Sequence, residues 1–190
     1  MDEKAVIAEC LRGNIDAYGE LVRRYQSQLI ALAWNMVGSG EDARDIAQES
    51  LIAAFNHLRS FDPQREFKSW LFTITARKCL DWLRRKRSFL KFFRTQTRDR
   101  EEFLAKAIDH TPVEESPLLG PLLQKISHRE RTAIILRVNE GYSAREIAEV
   151  LSCTESTVRA HLLNAKRKLK RELVNLNGAD GCRLLHEEKT

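Results

Sequence analysis

Apolar residues recur at helical spacing along most of the chain. Asn14 can cap a helix, and Ala17, Leu21, Val22, Tyr25, Leu29, Leu32 and Ala33 follow on one face up to Gly38. Ser39-Gly40 breaks this pattern, and Ser39 with Asp42 three residues on is a weakened capping box for a second helix, predicted to run to about Leu58. Phe61-Asp62-Pro63 marks a loop. A third helix is predicted from about Glu66 to Arg84-Arg85-Lys86-Arg87, where cations suit the negative end of the helix dipole.

From Ser88 to Glu115 the periodicity fades. A basic stretch with aromatics (Lys91, Phe92, Phe93, Arg94, Arg98) gives way to an acidic one (Asp99, Glu101, Glu102, Asp109, Glu114, Glu115), closed by Pro112, Pro117 and Pro121. This composition reads as an interdomain linker, helical in part around Phe103–Ile108. Beyond it, Ser127-His128-Arg129-Glu130 and Ser143-Ala144-Arg145-Glu146 are two S-x-x-E capping boxes, each opening an apolar-periodic helix, with Gly141 at a helix stop. Thr154 then caps a helix from Glu155 to about Val174, and Gly178–Thr190 reads as a frayed tail. A capped helix bearing Ile147, Ala148 and Leu151, a turn at Ser152-Cys153, and a second helix bearing Val158 and Leu162 form the helix-turn-helix pattern. The expected fold class is all-α, two helical domains joined by a flexible linker, with no strand.

The length, 190 residues, suits one medium domain or two small ones. Lys and Arg total 32 against 27 Asp and Glu, a net charge of +5 that favours a polyanionic partner. No apolar run approaches the roughly 18–20 residues that cross a bilayer, and Met1-Asp2-Glu3-Lys4 does not open a signal peptide. The cysteines Cys10, Cys79, Cys153 and Cys182 sit in no CxxC spacing, which points to a reduced, cytoplasmic protein. Cys182 and His186 stand four apart, but two ligands fall short of a metal site, so neither metal nor cofactor is expected. The sequence contains no P-loop, G-x-G-x-x-G, H-E-x-x-H or G-x-S-x-G, so no enzyme and no small-molecule substrate is expected.

Three helix faces carry the candidate chemistry. On the helix from 41 to 58, Ala43, Ala47, Leu51, Ala54 and Leu58 form an apolar stripe, and Asp42, Asp45 and Glu49, with Gln48 beside them, line the opposite face. Such a face is either a solvated surface or an acceptor-rich edge for a basic partner. On the helix from 66 to 87, Leu71, Thr75, Cys79, Trp82 and Leu83 read as core, with Trp70, Ile74, Arg77, Asp81 and Arg84 on the other side. An aromatic and cations on one face, beside a loop holding Phe61 and Phe67, suit unpaired nucleic acid, where bases stack on rings and cations hold phosphates. On the last helix Val158, Leu162, Ala165 and Leu169 face inward. Ser156, Arg159, Ala160, Leu163 and Arg167 face outward, with Glu155 at the N-terminal end and Lys166, Arg167, Lys168 and Lys170 placed for phosphates.

Together these residues carry a family likeness. Asp42-Ala43-x-Asp45-Ile46-x-Gln48-Glu49, then Phe67-x-x-Trp70-Leu71-x-x-Ile74 and Asp81-x-x-Arg84, closely resemble region 2 of the extracytoplasmic-function sigma factors. Arg131, Gly141-Tyr142-Ser143, Glu146-Ile147-Ala148 and Thr157-Val158 resemble their region 4. The resemblance covers roughly residues 10–87 and 118–174. It implies region 2 over 1–93, a linker over 94–117, region 4 over 118–176 and a tail over 177–190. It implies a subunit that joins core RNA polymerase through Asp42, Asp45, Gln48 and Glu49, and that captures unpaired minus-ten bases with Phe61, Phe67, Trp70, Arg77, Lys78, Arg84 and Arg85. The minus-thirty-five element would be read by Ser143, Thr154, Glu155, Ser156, Thr157, Arg159, Ala160, Leu163, Lys166, Arg167 and Lys168. It also implies control by an anti-sigma partner, often membrane-bound. Arg77 stands where the family usually has Asn, and Ala160, His161 and Asn164 stand where Ser and Arg are common. A different reading, a stand-alone helix-turn-helix regulator whose N-terminal helices dimerise or sense a signal, leaves the Asp45/Gln48/Glu49 edge and Trp70 without a task.

Overall fold

The computed structural model describes residues 2–94, 119–138 and 140–180. These are helical and turn residues, and among them no strand occurs. The chain divides into two compact units, with the boundary at Val113/Glu114.

The first unit holds α1 (Glu3–Leu11), α2 (Ile15–Val37), α3 (Gly40–His57), a single 3-10 turn (Leu58–Ser60) and α4 (Phe67–Arg94). Local chemistry sets each boundary. The Asn14 side chain accepts from the Ala17 amide at 3.3 Å, so α2 starts with one orphan donor satisfied. Gly38 ends α2 in the left-handed region at φ 76°, a conformation that costs a side-chain-bearing residue about 1–2 kcal/mol. Ser39 Oγ accepts from the Asp42 amide at 3.4 Å, and Glu41 and Asp42 put negative charge on the positive end of α3.

α2 lies against α1, α3 and α4 and supplies the centre of the core with Leu21, Leu29 and Met36. α3 faces it with Ala43, Ala47 and Ala54, all fully buried, and these small residues let the backbones approach. α4 closes the bundle with Leu71, Phe72, Ala76 and Cys79. The buried Tyr18 hydroxyl donates to the Leu51 carbonyl at 2.6 Å, tying α2 to the C-terminal half of α3. Burial pushes the Cys79 thiol up to about 12, so it is an inert packing group.

The second unit holds α5 (Leu119–Gln124), α6 (His128–Val138), α7 (Ala144–Leu151) and α8 (Glu155–Asp180). Both capping boxes form reciprocally. Ser127 Oγ accepts from the Glu130 amide while Glu130 Oε2 accepts from the Ser127 amide. Ser143 and Glu146 repeat the exchange at the start of α7. Gly141 takes φ 70° with open space around it, so its requirement is dihedral and not steric. Between α7 and α8, Ser152 takes φ 50°, and the Cys153 amide returns to the Ala148 carbonyl at 3.0 Å to form the tight turn. Ile147, Leu151, Val158 and Ala165 interlock behind that turn, and α5 docks through Leu122 and Leu123. Arg131 is buried and donates to the Leu123 carbonyl at 2.8 Å, which fixes α5 on α6; its burial lowers the guanidinium pKa.

The structure differs from the sequence reading at four boundaries. α1 exists although no helix was expected before Asn14. α4 does not stop at Arg87 but continues to Arg94. α5 exists where the proline-punctuated segment gave no helix, with Pro121 inside its first turn, where a missing amide is harmless. α8 runs to Asp180, past the expected end near Val174. The expected linker helix at Phe103–Ile108 lies outside the described residues.

Candidate nucleic-acid interface

On α3 the division of faces is clean. Ala43, Ala47, Leu51, Ala54 and Leu58 are buried, whereas Asp45, Gln48 and Glu49 are exposed and Asp42 is half-buried. Glu49 Oε2 accepts from Lys78 Nζ on α4 at 3.1 Å, so one member of the acidic edge already holds one of the cations expected to meet nucleic acid. Both groups are substantially exposed, and such a pair contributes at most about 1 kcal/mol. The same face continues into exposed Ile52 and Phe55, the latter set edge-on against Tyr18 at 4.9 Å. Sequence reading missed this apolar extension. Its signal was two large apolar residues on the polar side of the α3 wheel.

The aromatic cluster sits where the 3-10 turn meets α4. Phe61 and Phe67 lie 5.4 Å apart edge to face, Trp70 lies 5.1 Å from Phe61 and 5.7 Å from Phe67, and Tyr25 of α2 lies 5.8 Å from Phe67. Phe61 is 6% exposed and Phe67 1%, while Trp70 is half-buried. Phe61 and Phe67 are therefore not free rings on which bases can stack, which corrects the sequence reading. They are a pedestal that holds the Trp70 indole at the surface. The cause is tertiary: the Tyr25 ring of α2 packs on Phe67, and Phe61 packs in turn on Phe67 and Trp70. The Tyr25 hydroxyl donates to the Glu3 carboxylate, so α1 anchors the base of the pedestal. Burial, reinforced by Glu3, raises the Tyr25 pKa.

Further along α4, Arg77, Arg84 and Arg85 are exposed, with Arg84 paired to Asp81. Trp82, expected in the core, is only half-buried, and the Lys86 ammonium lies over its ring at 4.4 Å from the centroid. That cation–π contact keeps a positive charge on the α4 surface beside the arginines.

In the second unit, Val158 and Ala165 of α8 are fully buried, with Leu162 and Leu169 half-buried. The opposite side exposes Glu155, Ser156, Arg159, Ala160, Leu163, Lys166, Arg167 and Lys170. Arg159 donates to Glu155 one turn back at 3.2 Å. A surface pair at i, i+4 is worth about 0.3–0.5 kcal/mol, less than a bidentate guanine contact, so a base can displace it. Thr154 Oγ1 accepts from the Thr157 amide at 3.3 Å and lies 2.9 Å from both the Ser156 and Thr157 hydroxyls. Ser143 Oγ is engaged with Glu146 in its capping box. Thr154 thus caps α8 at the turn, and Ser143 caps α7, the helix before it.

Lys168 has a partner that its place in a run of cations did not suggest. Its Nζ donates to both oxygens of Glu130 at 2.9 and 2.8 Å, which ties this half-buried lysine to α6. Glu130 is 4% exposed. Burial alone would raise its pKa, but the bonds from Lys168 and Ser127 outweigh it and hold the carboxyl below its ordinary range. Among the described residues no group of three or more potential metal ligands occurs, and no helix is long and apolar enough to cross a membrane. Cys182 and His186 lie outside the described residues.

Comparison with known proteins agrees with this division. The family described as Sigma-70 region 2 matches residues 21–89, and that described as Sigma-70, region 4 matches residues 119–169. The chain is 27% identical over 182 residues to the ECF RNA polymerase sigma factor SigW of Bacillus subtilis, covering 91% of this chain and 97% of SigW. It is 28% identical over 175 residues to the sigma factor CnrH of Cupriavidus metallidurans, covering 88% of this chain and 92% of CnrH. The solved structure of CnrH with the cytosolic domain of CnrY superposes with a TM-score of 0.61 at 26% identity, covering 91% of this chain and 97% of that one. The sigma factor RpoE of Bartonella quintana, solved with the anti-sigma factor NepR, shares the fold with a TM-score of 0.65 at 22% identity, over 82% of this chain and 96% of that one.

Proposed function

The chain belongs to the extracytoplasmic-function group of the sigma-70 family, and from that premise we propose how its parts divide the work of transcription initiation. It is a sigma factor, which binds core RNA polymerase and directs it to promoters. It is an initiation factor and not an enzyme, and it works where the polymerase works, in the cytoplasm.

Residues 1–93 act as region 2, 94–117 as linker, 118–176 as region 4 and 177–190 as tail. Asp45, Gln48 and Glu49, with Asp42 behind them, dock on the polymerase. Trp70 on its Phe61–Phe67 pedestal stacks an unpaired minus-ten base, and Arg77, Arg84, Arg85 and Lys78 of α4 hold the strand's phosphates. Glu155, Ser156 and Arg159 enter the major groove of the minus-thirty-five element, with Lys166, Arg167 and Lys170 on the flanking backbone. CnrH and RpoE have been solved with CnrY and NepR bound, and we propose that this chain is likewise held by an anti-sigma partner.

The observation that carries the reading is the α3 edge: a solvent-facing acidic stripe, opposite a buried apolar stripe on the same helix, in a protein of net positive charge. A stand-alone regulator has no use for it. Asp45→Lys with Glu49→Lys changes only exposed positions, so helicity and melting should stay close to wild type. Like charges placed against a basic partner cost several kcal/mol, so capture of core polymerase should fall at least a hundredfold. A folded double variant that captures core polymerase as well as wild type rejects this assignment.

A further inference from the structure

The second unit carries a buried carboxylate that promoter contacts do not explain. Glu130 sits in the first turn of α6, where its Oε2 accepts from the Ser127 amide at 2.8 Å. That bond already fixes the position of the carboxylate. The same two oxygens take Lys168 Nζ at 2.9 and 2.8 Å, across 38 residues of sequence. One side chain therefore closes a capping box and grips the middle of α8.

The apolar contacts between α8 and its neighbours are non-directional. Val158 and Ala165 bury against α6 and α7, and Leu162 and Leu169 flank them, but such contacts tolerate small rotations and slides of a helix. A two-oxygen ionic grip on the flank of α8 is directional and does not. Lys168 lies well past the reading end of the helix, so holding it sets how Ser156 and Arg159 are aimed without obstructing the groove.

We infer that Glu130 is a positioning residue for the promoter-reading helix: with Lys168 it forms a strut that fixes the rotation of α8 on α6, and Lys168 serves this strut and not a DNA phosphate. The inference deepens the proposed minus-thirty-five reading and rests on it.

The two roles give opposite signs. Glu130 is a negative charge on a DNA-binding unit. If it had no positional role, replacing it with a neutral amide would remove repulsion from phosphate and tighten binding. Glu130→Gln keeps an acceptor for the Ser127 amide, and Lys168→Met keeps the aliphatic stem, so both variants should fold. The probe is a duplex promoter recovered from a random-sequence pool by transcription with wild-type holoenzyme. Its affinity for holoenzyme made with the full-length chain is measured against potassium chloride concentration.

Each single variant should weaken binding about tenfold, the size of one badly seated base contact, with the salt slope unchanged. The double variant should be no worse than either single one. Lys170→Ala, in contrast, should lower the slope by about one unit. Tighter or unaltered binding by Glu130→Gln, or a slope lowered by one in Lys168→Met, overturns the strut. Hydrogen exchange of the free chain gives a readout independent of transcription. Amides from Val158 to Leu169 should exchange about tenfold faster in Glu130→Gln while those of α7 stay unchanged, by the link between local opening and protection. Unchanged exchange along α8 refutes the strut even if wild-type holoenzyme proves inactive, whereas an inactive wild type with accelerated α8 exchange rejects only the promoter reading.

Discussion

Trp70 and Phe67 belong to one cluster yet should fail in different ways. Phe67 is 1% exposed and lies within 5.8 Å, ring to ring, of Phe61, Trp70 and Tyr25. Phe67→Ala removes a fully buried ring at a junction of α2, α4 and the 3-10 turn, at a cost of about 3–5 kcal/mol. Domains of this kind hold about 5–15 kcal/mol in total, so the first unit should be left marginal and its denaturant midpoint should fall steeply. Trp70 is half-buried and packs on the two phenylalanines from outside. Trp70→Leu keeps an apolar cover over the pedestal but removes the flat ring, so stability should fall by only about 1 kcal/mol. Loss of base stacking should weaken capture of the melted strand by about 1–3 kcal/mol, roughly five- to 150-fold. Urea unfolding of the free chain measures the first effect, and permanganate reactivity of unpaired thymines in the holoenzyme–promoter complex measures the second. A Trp70→Leu holoenzyme that opens promoters at the wild-type level, or a Phe67→Ala chain as stable as wild type, refutes the division into pedestal and stacking surface.

Three further outcomes are expected. Leu163 is 50% exposed on the outward side of α8, between the turns bearing Arg159 and Arg167, where an apolar contact to a thymine methyl is available. Replacing minus-thirty-five thymines one at a time by deoxyuridine should cost about fourfold in affinity at one position, since a buried methyl is worth about 0.8 kcal/mol, and Leu163→Ala should abolish that difference. Ser152 holds φ 50° without being glycine, so Ser152→Gly should stabilise the second unit by up to about 1 kcal/mol in thermal unfolding. The Glu130 carboxyl titrates below its unfolded value of about 4.3, so its stabilisation is complete above that pH and is lost as pH falls through the lower folded value. Urea midpoints taken from pH 7 down to pH 2 should therefore drop less for Glu130→Gln than for wild type.

The parts legible in the sequence were those fixed by neighbours a few residues away. The Asn14, Ser39, Ser127, Ser143 and Thr154 caps all form, because each needs only the amide three residues on. The two faces of α3 were legible for the same reason: about five turns of polar and apolar alternation decide which side is wet. What could not be read was set by distant partners. Lys168 stood in a run of cations that looked like a phosphate grip, and only the fold brings Glu130 to it. Phe61 and Phe67 stand beside cations in the sequence as if available for stacking, but the fold buries Phe67 against Tyr25 and Phe61 against Phe67. α1 carries only Val6, Ile7 and Cys10 as buried positions, too few for a periodic signal, and its place is secured by Glu3 meeting Tyr25 and Arg24 of α2.

Reconstitution with core RNA polymerase is the most direct measurement. Purified full-length chain, mixed with core enzyme and a random-promoter template pool, should form a stable complex and yield transcripts from discrete start sites that share upstream minus-ten and minus-thirty-five sequences. The chain without core enzyme should leave the same templates unprotected in footprinting. A chain that footprints promoters tightly by itself, or that neither associates with core polymerase nor directs any template-selective transcript, contradicts its assignment as a sigma factor.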